Sequence, residues 1–176
     1  SVVLPHFLAY RKLLAEVSDF CELHIISNPS YPVIPKLYSV KIDSFLKKLP
    51  IKTHFHEWTL ETHNVSLIQG DCAIIPLDPQ NEFGWNKPAN KLVSFWFCGL
   101  PTVVSDTPAY RAVMDHAKSP LYCHTEREWV DQLRKVFEMA AAQRAAISQH
   151  NYDYTKNYYS DDELDKIWER IFSEVN

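Results

Sequence analysis

The sequence predicts an α/β fold, a parallel sheet with helices on both faces. Three observations predict it. Short β-rich runs alternate with helical segments along the chain, which is the pattern of strand–helix–strand units. Two of those runs, Cys72–Leu77 and Thr102–Val104, are apolar throughout and flank a helical segment. The helices carry recognisable starts and stops: Thr107-Pro108, the capping boxes Thr125–Glu128 and Ser160–Glu163, and Gly99 as a terminator.

The elements follow in order. Pro5 to Val17 reads as a helix with Phe7, Leu8, Leu14 and Val17 near one face. Glu22–Ser27 is a strand closed by Asn28-Pro29. Residues 30–50 are mixed, with a short amphipathic helix at Lys41–Leu49 stopped by Pro50. Lys52–His56 is a strand, and Thr59 caps a helix to Gln69, where Gly70 suits a left-handed turn. Next come the strand at 72–77, a helix at 88–98 ending at Gly99, the strand at 102–105 and a helix from Thr107-Pro108. A short strand at Leu121–Cys123 precedes a long helix from Thr125 to about residue 148, with Trp129, Leu133, Val136, Phe137 and Ala140 as its stripe. Asn151–Tyr159 is polar and tyrosine-rich and is read as a hinge. The final helix presents Leu164, Ile167, Trp168, Ile171, Phe172 and Val175 on one face. The count is about five strands. In such sheets ligands sit beyond the carboxyl ends of the strands, so the loops after Ser27, His56, Leu77 and Ser105 form the expected rim.

Composition narrows the function. A chain of 176 residues supports one domain with a real core, and its formal net charge of −4 argues against a broad nucleic-acid-binding face. No apolar run has transmembrane length. Neither a signal peptide nor an initiator Met is present, so the chain is expected to be a processed or excised fragment. Cys21, Cys72, Cys98 and Cys123 all lie in apolar segments without zinc-site spacing, which predicts reduced thiols in a cytoplasmic setting. With only Gly70, Gly84 and Gly99, neither a GxGxxG nor a Walker loop can be written.

The chemistry-bearing residues each have two readings. Lys87 and Lys91 sit about one turn apart at the start of the helix after Pro88. They are either two solvated lysines or a pair awaiting an anion, because cations at a helix N-terminus oppose its dipole. Asn90 and Ser94 can hydrogen-bond a ribose or sugar hydroxyl, or simply decorate a helix. Asp78 and Glu82 can contact sugar hydroxyls, or be loop acids. His54 and His56 share one strand face, but an HxH pair without a third ligand argues for packing or rim positions rather than a metal. Trp58 can stack on a nucleobase at the end of its strand, or belong to the core. Ser105-Asp106-Thr107 either lines the pocket or is only a turn and helix cap. No serine or cysteine stands in a nucleophile context.

Residues Asp71 to Tyr110 resemble the C-terminal, donor-binding domain of GT-B fold glycosyltransferases of group 1/4 type. The matching text is Asp71-Cys-Ala-Ile-Ile-Pro76, Lys87-Pro-Ala-Asn-Lys-Leu92, Gly99-Leu-Pro-Thr-Val-Val-Ser105 and Thr107-Pro-Ala-Tyr110. The resemblance implies a Rossmann-like domain over residues 1–150 that binds a nucleotide-sugar. It further implies that residues 151–176 are a linker and a terminal helix, packed on this domain or on an N-terminal acceptor domain. It assigns Lys87 and Lys91 to the diphosphate, Asn90 and Ser94 to the ribose or sugar, and Trp58 to the base rim. Asp78 and Glu82 complete the expected donor site.

The same resemblance implies sugar transfer to an acceptor hydroxyl with no cofactor, no metal and no nucleic acid. A general base would come from the acceptor domain, so this chain alone is expected to bind donor weakly and not turn over. The expected location is cytoplasmic, with peripheral attachment at the inner face of a membrane open to the full-length protein. Two departures from the family pattern stand out. Ser94 occupies the position of a ribose-binding glutamate, which leaves a second reading of a catalytically inactive binding or scaffold domain. The chain also begins at or just before the first helix, without the family's opening strand. An unrelated flavodoxin-like regulatory module would need an acidic cluster after the first strand, which is absent.

Overall fold

A computed structural model describes residues 9–34, 38–77 and 82–175. The protein is mixed α/β. Strand β1 (Leu23–Ser27) pairs in parallel with β4 (Thr53–Glu57), Leu23 opposite Thr53 and Ser27 opposite Glu57. A second parallel set, β5 (Ala73–Ile75), β6 (Thr102–Ser105) and β7 (Tyr122–Cys123), is ordered β5-β6-β7. These five strands are the ones expected from the alternating pattern. Between β1 and β4 lies an antiparallel hairpin, β2 (Ser30–Ile34) with β3 (Tyr38–Lys41), within the stretch that reads as mixed.

Among the described residues the parallel strands form two sheets rather than one. β1 and β5 are not paired with each other, and both line a cavity of about 510 Å³ along their whole length. Helices α1 (Arg11–Glu16) and α7 (Glu126–Glu138) contribute Leu13, Leu14, Leu133 and Phe137 to its wall. Lys91, Phe95 and Leu100, in or after α5 (Asn90–Phe97), also line it. The core runs past the cavity without interruption, with Leu92, Trp96, Val103, Val104, Met114, Trp129 and Val136 fully buried.

Local signals explain most helix ends. At the end of α5, Gly99 adopts φ 71°. Its N–H bonds the Trp96 carbonyl at 2.9 Å and the Leu100 N–H bonds the Phe95 carbonyl at 3.0 Å, the pair of bonds that closes a helix through a left-handed residue. The Thr107 side chain caps α6 (Pro108–His116), with Pro108 in its first turn. Thr125 and Glu128 make a reciprocal capping box on α7. At α9 (Asp161–Val175) only half of the expected box forms. Ser160 Oγ accepts from the Glu163 N–H, while Glu163 Oε1 takes a bond from Lys166.

Other expectations are corrected. The helix expected over 59–69 is reduced to α3 (His63–Leu67), which buries no residue and so has little packing to hold its ends. Gly70 is not left-handed. The helix expected over 5–17 is described as α1 from Arg11, with Tyr10 at its N-cap, and Phe7 and Leu8 lie outside the described residues, while Leu14 and Val17 are buried as expected. The amphipathic segment at 41–49 is the helix α2 (Ile42–Leu46), with Ile42, Phe45, Leu46 and Leu49 in the core.

The long helix expected to reach residue 148 breaks at Met139-Ala140. Met139 is extended there, with ψ 141°. Gln143 Oε1 accepts from the Ala140 N–H, and Arg144 donates to the Met139 carbonyl at 2.6 Å. The supposed hinge at 151–159 is instead part of α8 (Ala141–Tyr159). Asn151, Tyr154 and Thr155 are buried there, and Tyr154 meets the Trp96 ring edge-on at 5.7 Å. Tertiary packing outweighs the weak helix propensity of tyrosine and asparagine. The apolar face of α9 is exposed: Trp168 keeps 55% and Phe172 63% of its surface. Among the described residues no helix is long and apolar enough to cross a membrane.

Candidate functional site

The site is built where chain segments meet at the carboxyl ends of β5 and β6. Ser105 closes β6, and its hydroxyl accepts from the Leu77 N–H at 2.7 Å and donates to the Leu77 carbonyl at 3.0 Å. Tyr10 Oη donates to the same carbonyl at 2.7 Å. All three groups are buried, so the rim is fixed by a satisfied polar network rather than by loop packing alone. Ser105 therefore has a structural task. So has Thr107, as the α6 cap.

Asp106 is also tied down. Its carboxylate, 2% exposed, receives the Arg111 guanidinium through Nε and Nη2, and His124 Nε2 lies 2.6 Å from Oδ2. The Asp106 hydrogen bond raises the Arg111 pKa. A buried carboxylate costs several kcal/mol to desolvate unless paired, and here two exposed bases pair it.

α5 runs back from the rim, so its first turn lies at the carboxyl end of β5. No side chain caps this N-terminus and no acidic residue occupies its first turn. Lys91 stands there and lines the cavity. Its residue surface is largely exposed, yet burial around the ammonium lowers its pKa, and the nearby Lys87 lowers it further. Two cations near a helix end of positive potential are mutually unfavourable, and an anion relieves both penalties.

The remaining expected residues are less gathered. Asn90 is exposed in the first turn, and Ser94 Oγ donates to the Asn90 carbonyl at 2.9 Å, which spends its proton on the helix backbone. Lys87, Asn90, Ser94 and Trp58 do not line the cavity, unlike Lys91. Trp58 follows β4, 44% exposed, with its ring 5.9 Å from that of His63. Asp78 lies outside the described residues. So does the side chain of Glu82, whose backbone opens the short helix α4 (Glu82–Trp85).

No thiol is set up as a nucleophile. The four cysteines are free, and burial raises the pKa of Cys21 to about 11 and of Cys72 and Cys123 to about 12. Two groups went unnoticed in the sequence. Tyr10 carries no motif. Glu22 and His24 join His54 across the β1–β4 pair, and the only signal was the matching i, i+2 spacing in two separate runs.

Comparison of the chain with family models, curated proteins and solved structures finds no match in any of the three.

Proposed function

We propose that this chain is the donor-binding half of a GT-B type glycosyltransferase, a Rossmann-like domain that holds a nucleotide-sugar while its sugar passes to an acceptor hydroxyl. The observation that carries the reading is Lys91, set in the wall of the cavity between β1 and β5 at an uncapped helix start, with Lys87 near it. Such an arrangement stabilises a leaving diphosphate through charge and backbone N–H groups, without a metal or cofactor. The strand order also supports it. The two parallel sets, β4-β1 and β5-β6-β7, are compatible with the two halves of a dinucleotide-type sheet. The exposed apolar face of α9 suits contact with an acceptor domain, which would supply the general base. A cytoplasmic location belongs to the same reading.

One observation favours a second reading, a domain that kept the fold and binds without catalysis. Ser94 takes the place of a charged ribose ligand, and its hydroxyl is already engaged with Asn90. Calorimetric titration with pyrophosphate, nucleoside diphosphates and a panel of nucleotide-sugars separates the cases. The glycosyltransferase reading expects weak binding to this chain, lost in a Lys87→Ala/Lys91→Ala variant, and turnover by the full-length protein. Binding without turnover by the full-length protein selects the scaffold. Absence of heat with every ligand, including on the full-length protein, sinks the donor site.

A further inference from the structure

We propose that Glu22, His24 and His54 form a binding site for a borderline divalent transition ion of the Zn²⁺ class, with solvent completing its coordination. None of the expected donor residues belongs to this site, although Glu22 and His24 line the same cavity as Lys91. β1 and β4 run in parallel with His24 directly opposite His54, so side chains two residues apart on each strand share one face. Glu22 and His24 on one side therefore meet His54 and His56 on the other. One ligand atom from each of Glu22, His24 and His54 lies within 4.8 Å of the others. A tetrahedral ion with bonds of about 2.0–2.2 Å holds its ligand atoms about 3.4 Å apart. Small side-chain rotations close that difference without moving the strands.

The surrounding groups suit coordination. His54 Nε2 is 2.7 Å from Glu22 Oε2, while Lys52 Nζ holds Oε1 at 2.7 Å. An ion entering between His54 and Oε2 leaves the Lys52 contact in place. His24 is stacked between His54 and His56, with ring centroids 4.6 and 5.1 Å away. Its Nδ1 lies 2.9 Å from His56 Nε2, a contact of the kind that orients a ligating imidazole. Two imidazoles and one carboxylate match Zn²⁺, Co²⁺ and Ni²⁺ better than Mg²⁺ or Ca²⁺. The carboxylate and the His54 ring are about half and one-third exposed, at 48% and 37%, so an ion has a path in.

The test uses the whole chain without a polyhistidine tag, stripped with chelator and titrated near neutral pH with Co²⁺ and Zn²⁺. Expected are one Zn²⁺ per chain by calorimetry and the visible absorption of tetrahedral Co²⁺, displaced by Zn²⁺. His24→Ala and His54→Ala should each weaken binding at least about tenfold. Glu22→Gln, at an exposed position, should do the same with circular dichroism unchanged, which separates ligation from folding. His150→Gln, whose ring bonds the Ala117 carbonyl on another part of the fold, should bind like the parent. Absence of saturable binding, or equal affinity in the parent and the Glu22, His24 and His54 variants, overturns the proposal.

Discussion

Tyr10 Oη donates a 2.7 Å hydrogen bond to the carbonyl of Leu77, joining residues 67 positions apart at the carboxyl ends of the strands. Ser105 Oγ, 3.2 Å from the same phenol, contacts both the N–H and the carbonyl of Leu77. This triad fixes the start of α1 against β5 and β6. Tyr10→Phe keeps the ring's edge contact with Trp129 and loses only the donor. It should lower stability by about 1 kcal/mol, because Ser105 still satisfies Leu77. Ser105→Ala leaves the buried Leu77 N–H without that acceptor and should cost more, about 1–3 kcal/mol. Urea unfolding of the two variants checks the order.

Lys91 carries a linked pair of effects. Its pKa is lowered in the folded chain by burial and then by Lys87. Below the folded pKa both states carry the proton, and the charge costs the fold. As pH rises from there to the ordinary lysine value, the folded state sheds its proton first and gains stability. Lys91→Met should therefore raise the melting temperature near neutral pH while abolishing binding of pyrophosphate. A fall in both would remove the case for a lysine strained to receive an anion.

The Glu22 pKa moves down because Lys52 and His54 donate to its carboxylate. Its contribution is present above the ordinary glutamate pKa and is lost as pH falls through the lower folded value. Glu22→Gln should flatten the acid limb of the stability profile and leave the alkaline limb unchanged, as read by thermal melts across pH.

Burial holds the thiols in their protonated form, with Cys72 and Cys123 pushed to about 12. In mildly alkaline buffer a disulfide reagent should titrate the native cysteines slowly and all four rapidly after denaturant. Fast native labelling of Cys72 would contradict its environment.

α9 leaves Ile167, Trp168, Ile171 and Phe172 exposed, at 40–63%. Phe172→Glu should change the stability of this chain by no more than about 0.5 kcal/mol, since little packing is lost. A larger loss would mean that the face is covered in solution.

Local chemistry determined a good part of this protein. The caps at Thr107 and Thr125, the stop at Gly99 and the β-rich runs of the five parallel strands act within a few residues, so they were legible in order. Lys87, expected on the first turn of the helix with Lys91, instead lies in the loop before α5, so its nearness to Lys91 is not set by helical spacing. Other features depend on which surfaces meet. α8 is helical through Asn151–Tyr159 because Trp96 and His116 pack against Tyr154, while the break at Met139-Ala140 is held by Gln143 and Arg144. The cavity between β1 and β5, the Tyr10–Leu77 bond and the meeting of Glu22 and His24 with His54 came only from tertiary structure. Strand partners and register are set by long-range burial, and neighbouring residues carry no record of them.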